Sequence, residues 1–89
     1  MEKILPLRKK IDEIDEQILR FLKKRIDVCE NIGVIKREHG LPVKDTPREN
    51  EQYVRITELA SKLGLDPKEV RAVYREIIAM SIHAQERES

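Results

Sequence analysis

Apolar residues recur along the first forty positions with a period of seven. Ile4, Ile11, Ile18 and Ile32 occupy one position of the repeat, and Leu7, Ile14, Phe21, Val28 and Ile35 occupy another. Five such repeats predict one long helix over residues 4–39 with a continuous apolar seam. No proline interrupts it after Pro6, which suits the first turn, and Gly33 is its one weak interior residue. A single polar residue breaks the seam, because Arg25 stands where the pattern calls for isoleucine. A flanking row of Arg8, Asp15, Leu22, Cys29 and Lys36 sets two more cations beside the seam.

Gly40 is placed to cap this helix in a left-handed conformation, with Leu41 and Pro42 beyond it. Thr46-Pro47-Arg48-Glu49 reads as a capping box that opens a second helix, with Thr46 as N-cap. Its apolar stripe runs Tyr53, Ile56, Ala60, Leu63, with Glu49 at its head, and Gly64 ends it. Asp66-Pro67-Lys68-Glu69 opens a third helix with inner residues Val70, Val73, Tyr74, Ile77 and Ile78. Continuing that spacing places Ser81, Ala84 and Gln85 on the same face, where polar side chains interrupt the apolar stripe. Residues 86–89 read as a frayed polar tail.

The prediction is an all-α chain of three helices, one long and two shorter, forming a single domain over residues 1–89. Thirty-odd helical residues make a rod of roughly 50 Å. A compact domain of 89 residues is only about 30 Å across. Two short helices cannot cover so long a seam, so the expected assembly is an intertwined antiparallel homodimer.

Composition narrows the function. Hydrophobic and charged residues each make up 39% of the chain with three glycines, which agrees with an all-helical protein. The formal net charge of +1 argues against nucleic-acid binding. One cysteine, Cys29, permits no intrachain disulfide and fits a reducing, cytoplasmic setting; it reads as a small buried residue. No apolar run is long enough to span a membrane. His39 and His83 make no metal-ligand spacing, and no catalytic triad or phosphate loop is present. No metal and no cofactor are expected.

The chemistry therefore rests on polar residues that point inward. Arg25, Lys36, Glu49, Ser81 and Gln85 face the predicted core, and buried charges require compensation. Internal salt bridging, Arg25 with Asp15 or Glu49, is one solution. With Arg8 on the flank of the first helix, three cations against one inward carboxylate leave a surplus, which points to an anionic ligand. Arg25 and Lys36 are three turns apart on one face, so their side chains can converge on one small molecule. Arg8 lies about 25 Å from Arg25 and roughly 100° around the helix, so it would serve the site of an antiparallel partner. Arg48 adds a cation at a helix start, with a solvated first-turn residue as the plainer reading. Glu49 and Asp45 equally suit capping roles, and Ser81 could pair with Gln85 one turn on.

The run Leu7-Arg8-Lys9-Lys10-Ile11-Asp12, with Ile14-Asp15, Lys24-Arg25 and Gly33…Lys36, resembles the all-helical chorismate mutase family. Pro42-Val43-Lys44-Asp45…Arg48-Glu49 and Ile77-Ile78…Ser81…Gln85 continue the likeness to the end of the chain. The resemblance implies a stand-alone enzyme that rearranges chorismate to prephenate, for phenylalanine and tyrosine biosynthesis. It implies that Arg25 and the partner's Arg8 clamp the two substrate carboxylates, and that Lys36 and Gln85 hydrogen-bond the ether oxygen. Glu49 and the backbone near Asp45 would hold the ring hydroxyl, with Arg48 and Ser81 completing the shell. The related isochorismate–pyruvate lyase shares the fold and most of the basic residues. A non-catalytic helical dimer, regulatory or assembling, would explain the seam but not the inward Arg25, Lys36 and Gln85 together.

Overall fold

The computed structural model describes residues 1–88. Three helices follow one another: α1 over Leu5–Glu38, α2 over Thr46–Lys62 and α3 over Pro67–Glu88. No strand occurs among the described residues, so the class is all-α as predicted. Pro6 lies in the first turn of α1, where its missing N–H costs nothing. Gly40, at φ 66°, ends α1 with the Leu41 N–H bonded to the Lys36 carbonyl at 2.8 Å. Gly64, at φ 76°, closes α2 in the same way, with the Leu65 N–H on the Ala60 carbonyl at 2.8 Å.

The start of α2 differs from the expected box. Asp45, not Thr46, is the N-cap, and its Oδ1 accepts from the Arg48 N–H at 3.1 Å. A carboxylate complements the positive end of the helix better than a hydroxyl, so the helix begins one residue early. That shift frees the Glu49 carboxylate from any capping role. The end of α3 differs too, because the helix runs through residues 86–88 that were expected to fray. Ala84 is fully buried, and Arg87 Nη2 lies 3.7 Å from Glu30 Oε1 on α1, so the last turns are held. Ser89 of the expected tail lies outside the described residues.

Helix α3 is the centre of the packing, with α1 on one side and α2 on another; α1 and α2 make no packing contact with each other. The C-terminal parts of α1 and α3 meet closely at Gly33. A Cβ there would lie 2.6 Å from the Gln85 carbonyl oxygen and 2.7 Å from its Cα. Gly33 is therefore a packing requirement rather than a weakness, since only a bare Cα admits this approach. On α2 and α3 the buried residues are Ile56, Ala60, Ile78, Ser81 and Ala84. Leu63 and Val73, predicted for the inner stripes, are instead 66% and 59% exposed. They lie beyond the strip that the two short helices cover on each other.

The N-terminal half of the long seam packs against nothing in its own chain. Helix α1 turns its flanking face, with Cys29 and Gly33 buried, toward α3. The seam residues Ile11, Ile14, Ile18 and Phe21 remain more than half exposed. Every residue from 1 to 21 is exposed. The molecule measures 57 × 24 × 15 Å with a radius of gyration of 16.4 Å. A compact domain of this length would have about 12 Å.

Candidate active site

Helices α1 and α2 stand apart because a cavity of about 380 Å³ lies between them, with α3 as its floor. That volume is within the usual range for a small-molecule site, about 300–1,000 Å³. Seven of the eight residues singled out from the sequence line it: Arg25, Lys36, Asp45, Arg48, Glu49, Ser81 and Gln85. Arg8 does not. It lies on the exposed N-terminal half of α1, away from the cavity.

Arg25 pairs with neither Asp15 nor Glu49. Its Nη1 donates to Ser81 Oγ, and its Nη2 donates to Gln52 Oε1 at 2.7 Å. Both acceptors are neutral, so the guanidinium is held in place without losing its charge. Ser81 is 5% exposed and donates its own hydroxyl proton to the Ile77 carbonyl at 2.9 Å. It does not bond to Gln85. The hydroxyl turns back on its own helix and keeps its oxygen directed at Arg25.

Lys36 reaches across to α3 and to the α1–α2 loop. Its Nζ donates to Gln85 Oε1 and to the Val43 carbonyl, both at 2.8 Å. An ammonium has three N–H donors, so one remains for a ligand. With the Gln85 oxygen occupied by Lys36, its NH₂ group is the end left to donate. The pair thus offers an N–H of a cation and an N–H of an amide to one small region. Such donors suit an oxygen that becomes negative during a reaction.

The α2 end of the cavity is mixed in charge. Glu49 Oε2 lies 3.3 Å from the exposed Lys44 Nζ, yet it is buried and accepts no hydrogen bond. A buried carboxylate oxygen without a hydrogen bond is costly, and a hydroxyl from a ligand would satisfy it. Arg48 Nη1 pairs with Glu51 Oε1 at 2.5 Å on the exposed rim. Asp45 serves chiefly as the α2 cap, which keeps its carboxylate on the backbone.

Two polar lining residues were not found from the sequence, Gln52 and Arg55. A signal for Gln52 was present. It stands four residues before the buried Ile56 and three after Glu49, hence on the same inner stripe. Arg55 carries no such signal, since it sits on the exposed flank of α2. Among the described residues no group of His, Cys, Asp and Glu could hold a metal ion. No helix is long and apolar enough to cross a membrane.

Comparison with known proteins gives the same family as the residues do. The family model for chorismate mutase type II matches residues 7–86. The chain is 38% identical over 90 residues to a bifunctional chorismate mutase/prephenate dehydratase of Aquifex aeolicus, covering 98% of this chain and 25% of that protein. It is 38% identical over 66 residues to a chorismate mutase of Methanocaldococcus jannaschii, covering 74% of this chain and 67% of that one. Among solved structures, a conserved hypothetical protein from Pyrococcus furiosus superposes with a TM-score of 0.76 at 35% identity. That match covers 96% of this chain and 97% of that one. The chain thus spans a quarter of the length of its Aquifex relative and two-thirds of its Methanocaldococcus relative. With a family match over nearly its whole length, this chain belongs to the chorismate mutase type II family.

Proposed function

We propose that this chain catalyses the rearrangement of chorismate to prephenate, working as a cytoplasmic homodimer. One observation carries the reading: Arg25, Lys36 and Gln85 converge on one cavity with donors to spare and no carboxylate neutralising Arg25 or Lys36. A dianionic substrate supplies the missing negative charge.

The reaction breaks the ether C–O bond and forms a C–C bond within one molecule, through a cyclic transition state. It needs no nucleophile, metal or cofactor. The protein has to select the folded, diaxial conformer and stabilise the charge that separates as the bond stretches. Arg25 binds one substrate carboxylate. Lys36 and Gln85 donate to the ether oxygen, whose negative charge grows toward the transition state, so their bonds strengthen there. Glu49 accepts from the ring hydroxyl, which gives its buried oxygen a partner. Arg48, Ser81 and the backbone at Asp45 complete the surround.

The second carboxylate needs a cation beyond Arg25 and Lys36, and of the other cavity cations Arg48 is paired with Glu51 on the rim and Arg55 sits on the exposed flank of α2. Arg8 of a second copy supplies it in this reading. In an antiparallel pair the start of one α1 lies along the later part of the other, and the same contact covers the exposed seam. Two composite sites result.

The deciding experiment is incubation of the purified protein with chorismate, and separately with isochorismate, with products identified by NMR. Prephenate from chorismate is the expected result. Pyruvate and salicylate from isochorismate, with chorismate untouched, would assign the site to the lyase reaction instead. Arg25→Leu separates an enzyme from a structural dimer. Activity should fall by a factor of at least about 1,000 while stability holds or rises, because a half-buried cation gives way to an apolar residue at a seam position.

A further inference from the structure

We infer that Gln52 is a positioning residue that aims the Arg25 guanidinium into the cavity while leaving its charge intact. Helices α1 and α2 do not pack on each other, so the 2.7 Å bond from Arg25 Nη2 to Gln52 Oε1 is a direct bridge between them across the cavity. Ser81 holds the other end of the fork from α3. Acceptors from two helices fix the guanidinium plane, which a single acceptor would leave free to swing.

The choice of glutamine has a chemical consequence. A carboxylate at this position would hold Arg25 equally well but would neutralise it, and a substrate carboxylate would then have to displace an ion pair. An aliphatic residue would keep the charge but release one arm of the fork. An amide does neither. With its oxygen accepting from Arg25, its NH₂ group is the remaining polar end, and Gln52 lines the same cavity. The arrangement offers Arg25 and an amide donor side by side to a carboxylate.

This role rests on the proposed mutase reading, and the test separates the two. Steady-state kinetics with chorismate would be measured on the parent protein, Gln52→Leu and Gln52→Glu, with thermal melting by circular dichroism. Arg25 binds a carboxylate that is charged in both ground and transition states, so its misalignment should appear in KM. Gln52→Leu should raise KM about tenfold with kcat nearly unchanged. Gln52→Glu should lower kcat/KM about a hundredfold at pH 7.5. That deficit should shrink relative to the parent only as the introduced carboxyl protonates, below about pH 4 because the Arg25 guanidinium holds it under the ordinary carboxylate range, since a neutral acid again accepts without cancelling charge. A purely structural residue would change melting and leave KM and the pH profile alone. KM for Gln52→Leu within twofold of the parent, or a Gln52→Glu deficit independent of pH, overturns the proposal. Should Gln52→Leu not fold, the pH series on Gln52→Glu decides it. A parent that leaves chorismate unchanged overturns the proposed function, and this role with it.

Discussion

Lys36 and Gln85 divide their hydrogen-bonding groups so that each keeps a donor for a ligand. Lys36 is fixed by Val43 and Gln85 at once, so it is already in place before a substrate arrives. Lys36→Met should therefore lower kcat by at least about 100-fold with a melting temperature within a few degrees of the parent. Glu49 is the opposite case, a buried carboxylate oxygen whose charged neighbour is the exposed Lys44 at 3.3 Å. Its buried oxygen lacks a hydrogen bond. Glu49→Gln should hold or raise the urea midpoint while lowering kcat/KM by about tenfold or more. Gln85 cannot titrate, so turnover by the parent should be flat from about pH 5 to 9. A steep fall above about pH 6 would count against its role at the ether oxygen. The sequence exposed Arg25, Ser81 and Gln85 because each breaks an apolar period, and Lys36 because it lies three turns from Arg25 on one face. It did not say what Arg25 touches. Its partners, Ser81 and Gln52, come from two other helices, and no periodicity within α1 encodes them.

The helices themselves were readable because their starts and stops are local chemistry. Pro6, Gly40 and Gly64 all sit where a proline or a left-handed glycine is required. The N-cap of α2 lies one residue before the expected Thr46 because Asp45 is the stronger cap of two adjacent candidates, and the Thr46-Pro47-Arg48-Glu49 box points to the weaker one. Asp45→Ala should cost about 1 kcal/mol in urea unfolding, whereas Thr46→Ala should be nearly neutral. Gly33 shows the limit of propensity. Within a helix, alanine is favoured over glycine by about 1 kcal/mol. Here a methyl group would meet backbone atoms of Gln85 at 2.6–2.7 Å, and backbone cannot rotate away. Gly33→Ala should destabilise the protein by about 1–3 kcal/mol. It should also lower kcat, because α3 carries Gln85 away from Lys36 as it shifts.

At the scale of the whole molecule, the dominant fact is an unfilled requirement. The apolar core within one chain is Cys29, Ile56, Ala60, Ile78 and Ala84, all small or medium-sized, while Phe21 is 67% exposed. In our reading a second copy covers the seam, so sedimentation should give a dimer, and Phe21→Glu should yield a monomer or an unfolded chain with no activity. Arg8 sharpens this expectation. Arg8→Ala and Arg25→Ala homodimers should each be nearly inactive. Mixing and re-annealing them in equal amounts should restore about a quarter of the parent activity, since half the dimers are mixed and each has one intact site. No recovery in dimers shown to have exchanged would mean that Arg8 does not act across the interface.

The linear chain decided the class and the length of its elements, because helical periods, caps and breakers act over a few residues and need no distant partner. It also marked which polar residues face inward, since a polar residue in phase with an apolar stripe is visible wherever the stripe lies. Tertiary structure decided how those residues combine. It chose the flank of α1 for α3 and left the N-terminal half of the seam bare, because Gly33 allows the closest backbone approach on that flank. It held α1 and α2 apart around a cavity, and it bridged the gap with Gln52. Those outcomes depend on the mutual placement of three helices, which a one-dimensional pattern does not contain.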